Sequence, residues 1–193
     1  MATETIVTKQ FRLAFPAVFT PEKAMNPGAP DKYAVTMLFV KGTDLSDLKS
    51  MVQAAIEEKW PNKDKRPKDL KLPFRDGDEK DWAGFEGHVF ARASSQYRPG
   101  VVNQKVQKVL DEEEIYGGCY CRAEINAFAF DSAGNRGVAF GLSNLQKVAD
   151  GERFGGKKDP EKVFAPVEGS GADNPENYGG GYDDPAVFDD LPF

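Results

Sequence analysis

Apolar and polar residues alternate with a period of two in several segments of the chain, which is typical of half-buried β-strands. In residues 5–17, Phe11, Leu13 and Phe15 alternate with Gln10, Arg12 and Ala14, and Pro16 and Pro21 are expected to bound the end of this strand. Residues 87–96, 101–110 and 117–130 are further predicted strands. Residues 136–142 return as a hairpin partner after a loop at 131–135. Residues 32–40 are apolar on both faces, which predicts a central strand.

One segment has helical rather than strand periodicity. Leu45, Leu48, Val52 and Ile56 recur at helical spacing after a capping residue at Thr43 or Asp44, and the helix is predicted to stop at Trp60-Pro61. Five or six strands with one helix predict a mainly β protein, and an OB-fold-like barrel with one inserted helix fits best. The pattern alone does not distinguish an OB-fold from another small barrel. In either case the helix is expected to plug or flank the barrel.

The two faces of the predicted strands differ in chemistry. In residues 117–130, Cys119, Cys121 and Ala123 share a face of small side chains, whereas Tyr120 and Arg122 lie on the other. Aromatic rings interleaved with cations suit single-stranded nucleic acid, because rings stack on bases while cations follow the phosphates. The alternative for the phenylalanines is a place in the core under the helix. The predicted DNA-binding residues are Phe90, Arg92, Tyr97, Arg98, Lys105, Lys108, Tyr120, Arg122 and Phe128.

The formal net charge of −6 is concentrated at the C-terminal end of the chain. No Lys or Arg follows Lys162, and removing the seven acids after it from the total of 31 leaves 24 acids against 25 bases in residues 1–162. We therefore predict a folded domain over 1–162 and a disordered acidic tail over 163–193. The apolar tip of this tail is predicted to dock onto partners through Asp189, Asp190, Leu191, Pro192 and Phe193.

Other candidate chemistry is weak, and we predict no catalytic residue, metal or cofactor. Residues 151–158 nearly match a phosphate-binding loop, but Lys158 stands where magnesium needs Ser or Thr. Cys119 and Cys121 with a single histidine cannot complete a tetrahedral zinc site. The bases of residues 62–71 suit either a solvated loop or a mobile flap over phosphates. Two cysteines indicate a reducing compartment, and no apolar run approaches the length of a membrane span.

Segments of the domain also resemble a known family. Residues 116–123, 137–148 and 150–152, with 32–39 as a second strand, resemble single-stranded-DNA-binding proteins of tailed bacteriophages. Residues 188–193, Phe-Asp-Asp-Leu-Pro-Phe, are similar to the acidic tip of bacterial single-stranded-DNA-binding proteins, which docks onto replication and repair partners. The resemblance implies an OB-fold, a replication or recombination role without catalysis, and a place in the cytoplasm of an infected bacterium.

Two other function classes remain open at this point. The acidic tail would also suit an interaction module that mimics DNA and occupies a host protein. A small enzyme is disfavoured by the missing catalytic set.

Overall fold

The fold was taken from a computed structural model, which describes residues 4–25, 27–132 and 134–155. These residues form eight strands and one α-helix. The strands are β1 (Thr5–Val7), β2 (Phe11–Glu22), β3 (Lys32–Val40), β4 (Phe74–Asp76), β5 (His88–Ser95), β6 (Gly100–Val102), β7 (Tyr120–Ser132) and β8 (Asn135–Ala149), and the helix is α1 (Ser46–Lys59).

Five of the strands close into a barrel. The ring runs β2–β3–β5–β8–β7 and returns to β2 through the pairing of Phe11 with Cys121. All of its pairings are antiparallel except β5 with β8, where Ala93 lies opposite Phe140 in a parallel register. The short strands β1, β4 and β6 extend the sheet beside β7, β5 and β8. This connectivity is that of an OB-fold-like barrel and confirms the fold predicted from the sequence.

The barrel interior is built from the predicted small and aliphatic strand faces. Met37, Ala91 and Cys121 are each fully buried, on β3, β5 and β7 respectively. The thiols of Cys119 and Cys121 lie 3.7 Å apart inside this core. The face assignment predicted for β7 is therefore correct. Strand β3 is buried on both faces from Ala34 to Phe39, as its apolar run predicted.

Helix α1 packs on the barrel beside β7 and β8. The Asp44 carboxylate accepts a hydrogen bond from the Ser46 amide at 3.0 Å and so satisfies one free donor at the helix start. Leu48, Val52 and Ile56 are buried, as their spacing predicted. The helix ends at Lys59 because Pro61 cannot continue it.

Several strand boundaries differ from the prediction. The strand predicted over residues 5–17 is divided, since β1 ends at Val7 and β2 begins at Phe11. Strand β2 continues through Pro16 and Pro21 to Glu22, with register shifts where the prolines interrupt the ladder. The returning strand, predicted over residues 136–142, extends to Ala149 as β8, a strand of 15 residues. Strand β6 ends at Val102, because Asn103 turns the chain by accepting bonds from the amides of Lys105 and Gln107.

The predicted tail, including its tip, lies outside the described residues. Among the residues that the structure does describe, no helix is long and apolar enough to cross a membrane.

Candidate nucleic-acid interface

A groove of about 480 Å³ runs along the outer face of β3 and β5. In an OB-fold, the face of the second and third barrel strands, here β3 and β5, binds oligonucleotides together with the neighbouring loops. The groove is lined by Phe15, Thr36, Lys71, Leu72, Pro73, Arg75, Trp82, Phe90, Arg92, Ser94, Phe130, Asn135, Val138, Ala139 and Phe140.

Four aromatic side chains form a cluster at one side of the groove: Phe15, Trp82, Phe85 and Phe90. Phe85 and Phe90 are buried and pack edge to face with centroids 5.1 Å apart. Trp82 stands on both of them, 5.1 Å from Phe85 and 6.4 Å from Phe90. Phe15 and Trp82 remain 52% and 48% exposed, so two buried rings support two rings that water can reach. Supported and exposed rings of this kind can stack on nucleobases.

Phe15 reaches the groove because the backbone of β2 is distorted. The register of β2 against β3 shifts between Ala14 and Ala17, and Phe15 has a φ of 46°. A bulky residue rarely adopts this left-handed conformation, which costs about 1–3 kcal/mol. The bulge turns the Phe15 ring away from the interior and onto Trp82, with centroids 5.6 Å apart.

Three cations line the same groove, namely Lys71, Arg75 and Arg92. Arg92 donates to Glu22 at 2.6 Å, whereas Lys71 and Arg75 have no carboxylate within 4.0 Å among the described residues. The backbone of Lys71 is fixed to β8: its amide donates to the Arg136 carbonyl, and its carbonyl accepts from the Val138 amide, each at 2.9 Å. The groove thus combines these three cations with the exposed rings of Phe15 and Trp82 in one lining.

The predicted DNA-binding residues divide among different parts of the barrel. Phe90 and Arg92 lie in the groove, with Phe90 only 6% exposed and therefore placed under Trp82 rather than open to a base. Tyr97 and Arg98 follow β5, where Tyr97 is 83% exposed and the Arg98 guanidinium lies 5.5 Å from the Phe19 ring.

The remaining predicted residues lie on the turn after β6 and on β7. Lys105 and Lys108 are exposed on the turn. On β7, Tyr120 is half-buried beside Arg12, and Arg122 donates to the Gln146 side chain at 3.2 Å. Phe128 is 43% exposed and faces outward. The structure thus brings only Phe90 and Arg92 together in the groove itself.

The whole described domain matches a known family. Residues 4–176 match the family model described as the single-stranded-DNA-binding protein of Enterobacter phage Enc34. The chain belongs to this family.

The chain is also similar to an individual phage protein and to a solved structure. Protein p50 of Acyrthosiphon pisum secondary endosymbiont phage 1 is 34% identical over 157 residues, which cover 75% of this chain and 83% of that protein. The Enc34 single-stranded-DNA-binding protein, solved in complex with single-stranded DNA, is 26% identical with a TM-score of 0.65, over 78% of this chain and 89% of that one.

A more distant structure has the same fold. The single-stranded-DNA-binding protein gp2.5 of bacteriophage T7 is 15% identical with a TM-score of 0.58, over 87% of this chain and 98% of that one. At this identity the likeness bears on the fold alone.

For this family member, the strand-face argument missed Phe15, Lys71, Arg75 and Trp82. Pro16 was the available signal for Phe15, since proline inside a strand favours a bulge. Trp82 stands in a loop rich in charge and glycine, where a large ring has no core to fill. Lys71 belongs to the basic segment 62–71, for which a flap over phosphates was one of the two alternatives. Arg75 carries no such signal, because its place depends on how β4 pairs with β5.

Cys119 and Cys121 are both fully buried and therefore do not form a reactive site at the surface. The hydrogen bond with Cys119 and burial both raise the pKa of Cys121, which keeps that thiol protonated. The near match to a phosphate-binding loop begins at Gly151 and extends beyond the described residues, so only its first part has a described structure. Within the described residues, no cluster of three His, Cys, Asp or Glu side chains suits a metal ion.

Proposed function

We propose that this protein binds single-stranded DNA without catalysing a reaction and with little preference for base sequence. The observation that carries the proposal is the groove, in which exposed Phe15 and Trp82 stand beside Lys71 and Arg75. Membership of the Enc34 family supports it, as does the likeness to a family structure solved with single-stranded DNA. The four side chains lie on the face that OB-folds use for oligonucleotides.

The chemistry of the groove explains the low sequence preference. Every base has a π-face, so Phe15 and Trp82 would accept any base, each stack contributing about 1–3 kcal/mol. Lys71 and Arg75 would contact phosphates and release counterions, which makes the affinity fall with salt. Arg92 would exchange its contact with Glu22 for a phosphate.

The other predicted residues would extend the path of the strand beyond the groove. Tyr97 with Arg98, and Lys105 with Lys108, offer exposed rings and cations on the loops that follow β5 and β6. The strand would also contact the outer face of β7 through Tyr120, Arg122 and Phe128.

The two tryptophans allow a direct test. In a Trp60→Phe variant, Trp82 is the only tryptophan, and its fluorescence should fall on titration with oligo-dT. In the matched Trp82→Phe variant, the remaining Trp60 follows α1 and is not among the residues that line the groove, so it should respond little. Titrations with oligo-dT, oligo-rU and duplex at two salt concentrations would define the preferred ligand. Absence of oligo-dT binding at low salt, even with residues 171–193 removed, would falsify the proposal.

We further propose that the acidic tail recruits replication or recombination proteins and competes with DNA for the groove. The support is the charge distribution, seven acids and no base after Lys162, together with a tip similar to that of bacterial single-stranded-DNA-binding proteins. The protein would then coat and protect DNA during phage replication or recombination in the cytoplasm of the infected host. A module that only mimics DNA would need no exposed rings in a groove, and the geometry therefore favours the DNA binder.

A further inference from the structure

A short segment after β8 is held across the outside of the barrel. We call residues 150–155 the strap. The Phe154 amide donates to the Gly117 carbonyl at 2.9 Å, and Arg12 Nη2 donates to the Glu152 carbonyl at 2.7 Å. The Tyr116 hydroxyl lies 3.0 Å from Asp150 Oδ1, and the Arg153 guanidinium lies 3.9 Å from the Tyr116 ring. The strap is thus attached at several separate points, without joining the sheet.

The ring of Phe154 occupies a seat suited to a flat group. The Arg12 guanidinium lies 4.4 Å from the ring centroid. Gly84 has no side chain at this place, and a Cβ there would overlap the Phe154 ring. A guanidinium stacks on a nucleobase as it does on a phenyl ring. The seat would therefore also accept a base.

The seat is continuous with the groove. Phe154 packs against a small cluster that contains Leu38, Phe85 and Phe90, and the two phenylalanines also support Trp82. On the other side, the Arg12 guanidinium lies 5.7 Å from the Tyr120 ring. A strand that leaves the groove toward Tyr120 would therefore pass over Phe154.

Arg12 is suited to an anionic ligand at this place. Its hydrogen bonds go to two backbone carbonyls, Gly118 at 3.3 Å and Glu152 at 2.7 Å, and no carboxylate lies within 4.0 Å among the described residues. Departure of the strap would free the nitrogen now bonded to Glu152. That nitrogen could then bind a phosphate or a base edge.

We propose that the seat of Phe154 is a nucleobase subsite, filled by the strap in the free protein and vacated when a strand longer than the groove binds. The inference rests on the proposed binding of single-stranded DNA. The strap can leave because Glu152, Arg153 and Gly155 are exposed and its attachments lie outside the sheet ladder, where water can replace them when the segment opens locally. The strap connects the barrel to the acidic tail. Its release on DNA binding would therefore also free the point at which the tail is attached.

Hydrogen exchange at the Phe154 amide tests this subsite in the unmodified protein. The amide is bonded to Gly117, so its exchange reports whether the strap is seated. A saturating oligo-dT of about 16 nucleotides should speed the exchange roughly tenfold, whereas one of about 4 nucleotides should not change it. Unchanged or slower exchange with the longer strand bound would overturn the subsite while leaving DNA binding intact. Failure of both strands to bind would overturn the proposed function, and the subsite with it.

Two variants give an independent readout by affinity. Phe154→Ala empties the seat and should tighten binding of the longer strand several-fold without changing the shorter. Arg12→Lys keeps the charge but removes the flat guanidinium, so it should weaken only the longer strand. Equal loss of both affinities in Phe154→Ala would mean that Phe154 is a permanent part of the interface and would refute the subsite.

Discussion

Trp82 is the residue on which the proposed stacking depends most. Its ring is half-exposed and rests on the buried rings of Phe85 and Phe90, so its position is fixed before any ligand arrives. We expect Trp82→Ala to weaken binding of oligo-dT roughly 5- to 150-fold, the range given by about 1–3 kcal/mol for one stacked base. The thermal melt should change little. Fluorescence anisotropy with labelled oligo-dT measures the affinity, and Trp60→Phe is the matched control that should bind normally.

Phe15 combines a functional ring with a strained backbone, and two substitutions separate these effects. Phe15→Ala and Phe15→Gly both remove the ring and should weaken DNA binding equally. Only glycine adopts a φ of 46° without strain, so Phe15→Gly should be more stable than Phe15→Ala by about 1 kcal/mol. This corresponds to roughly 2–4 °C in a thermal melt of a domain of this size. Equal melting temperatures would show that the bulge stores no strain.

Among the elements, those whose faces are decided by a regular period were predictable from the sequence. The apolar faces of β3, β5 and β7 and the buried stripe of α1 follow directly from alternation and helical spacing. The bulge in β2 was not predicted, because Phe11, Leu13 and Phe15 keep a perfect period of two while the backbone does not. Nor was β4, whose three residues join the sheet only because the chain closes over β5.

The same distinction explains the candidate site. Arg92 and Phe90 were found because strand alternation places them on the outer face. Trp82 lies in a loop, Lys71 at the end of a connection, and Arg75 on the short edge strand β4. Only the closed barrel brings these three segments together. Residue chemistry therefore indicated the kind of ligand, whereas the geometry of closure located the groove.

The contact between the connection at Lys71 and β8 forms one wall of the groove, and Gly137 makes it possible. A Cβ at position 137 would overlap the backbone carbonyl of Lys71, which cannot move without breaking the pairing to Arg136 and Val138. We expect Gly137→Ala to destabilise the protein by about 1–3 kcal/mol and to weaken DNA binding by displacing Lys71.

Gly141→Ala is the matched control on the same strand. Its Cβ would meet the end of the Asn126 side chain, which can rotate away, so the stability cost should be smaller and the groove unaffected. Thermal melts and oligo-dT titrations of both variants measure the difference. Equal behaviour of the two variants would contradict the role given to the Lys71 contact.

For the whole molecule, the average charge conceals its distribution. The chain has a pI of about 5.0, which taken alone would argue against a nucleic-acid ligand. Residues 1–162 are nearly neutral, however, with 25 bases of which several lie in or near the groove. The acids after Lys162 are joined to that domain, so under the proposed competition they would act as a tethered competitor at an effective concentration on the order of millimolar.

Deleting residues 171–193 should therefore tighten DNA binding, and most strongly at low salt. Charge competition between carboxylates and phosphates is strongest where screening is weakest, and it should fade as the Debye length shortens to about 8 Å at physiological ionic strength. Replacing Asp183, Asp184, Asp189 and Asp190 by asparagine in the full chain should reproduce much of the effect, because it keeps the length and removes the charge.

Removing Phe193 alone should leave DNA affinity nearly unchanged, since no side-chain charge is lost, yet abolish binding of a replication partner. Oligo-dT titrations of the four proteins across a salt series measure these differences. If the full and shortened chains bind equally at every salt concentration, the tail does not compete with DNA and only its proposed recruiting role remains.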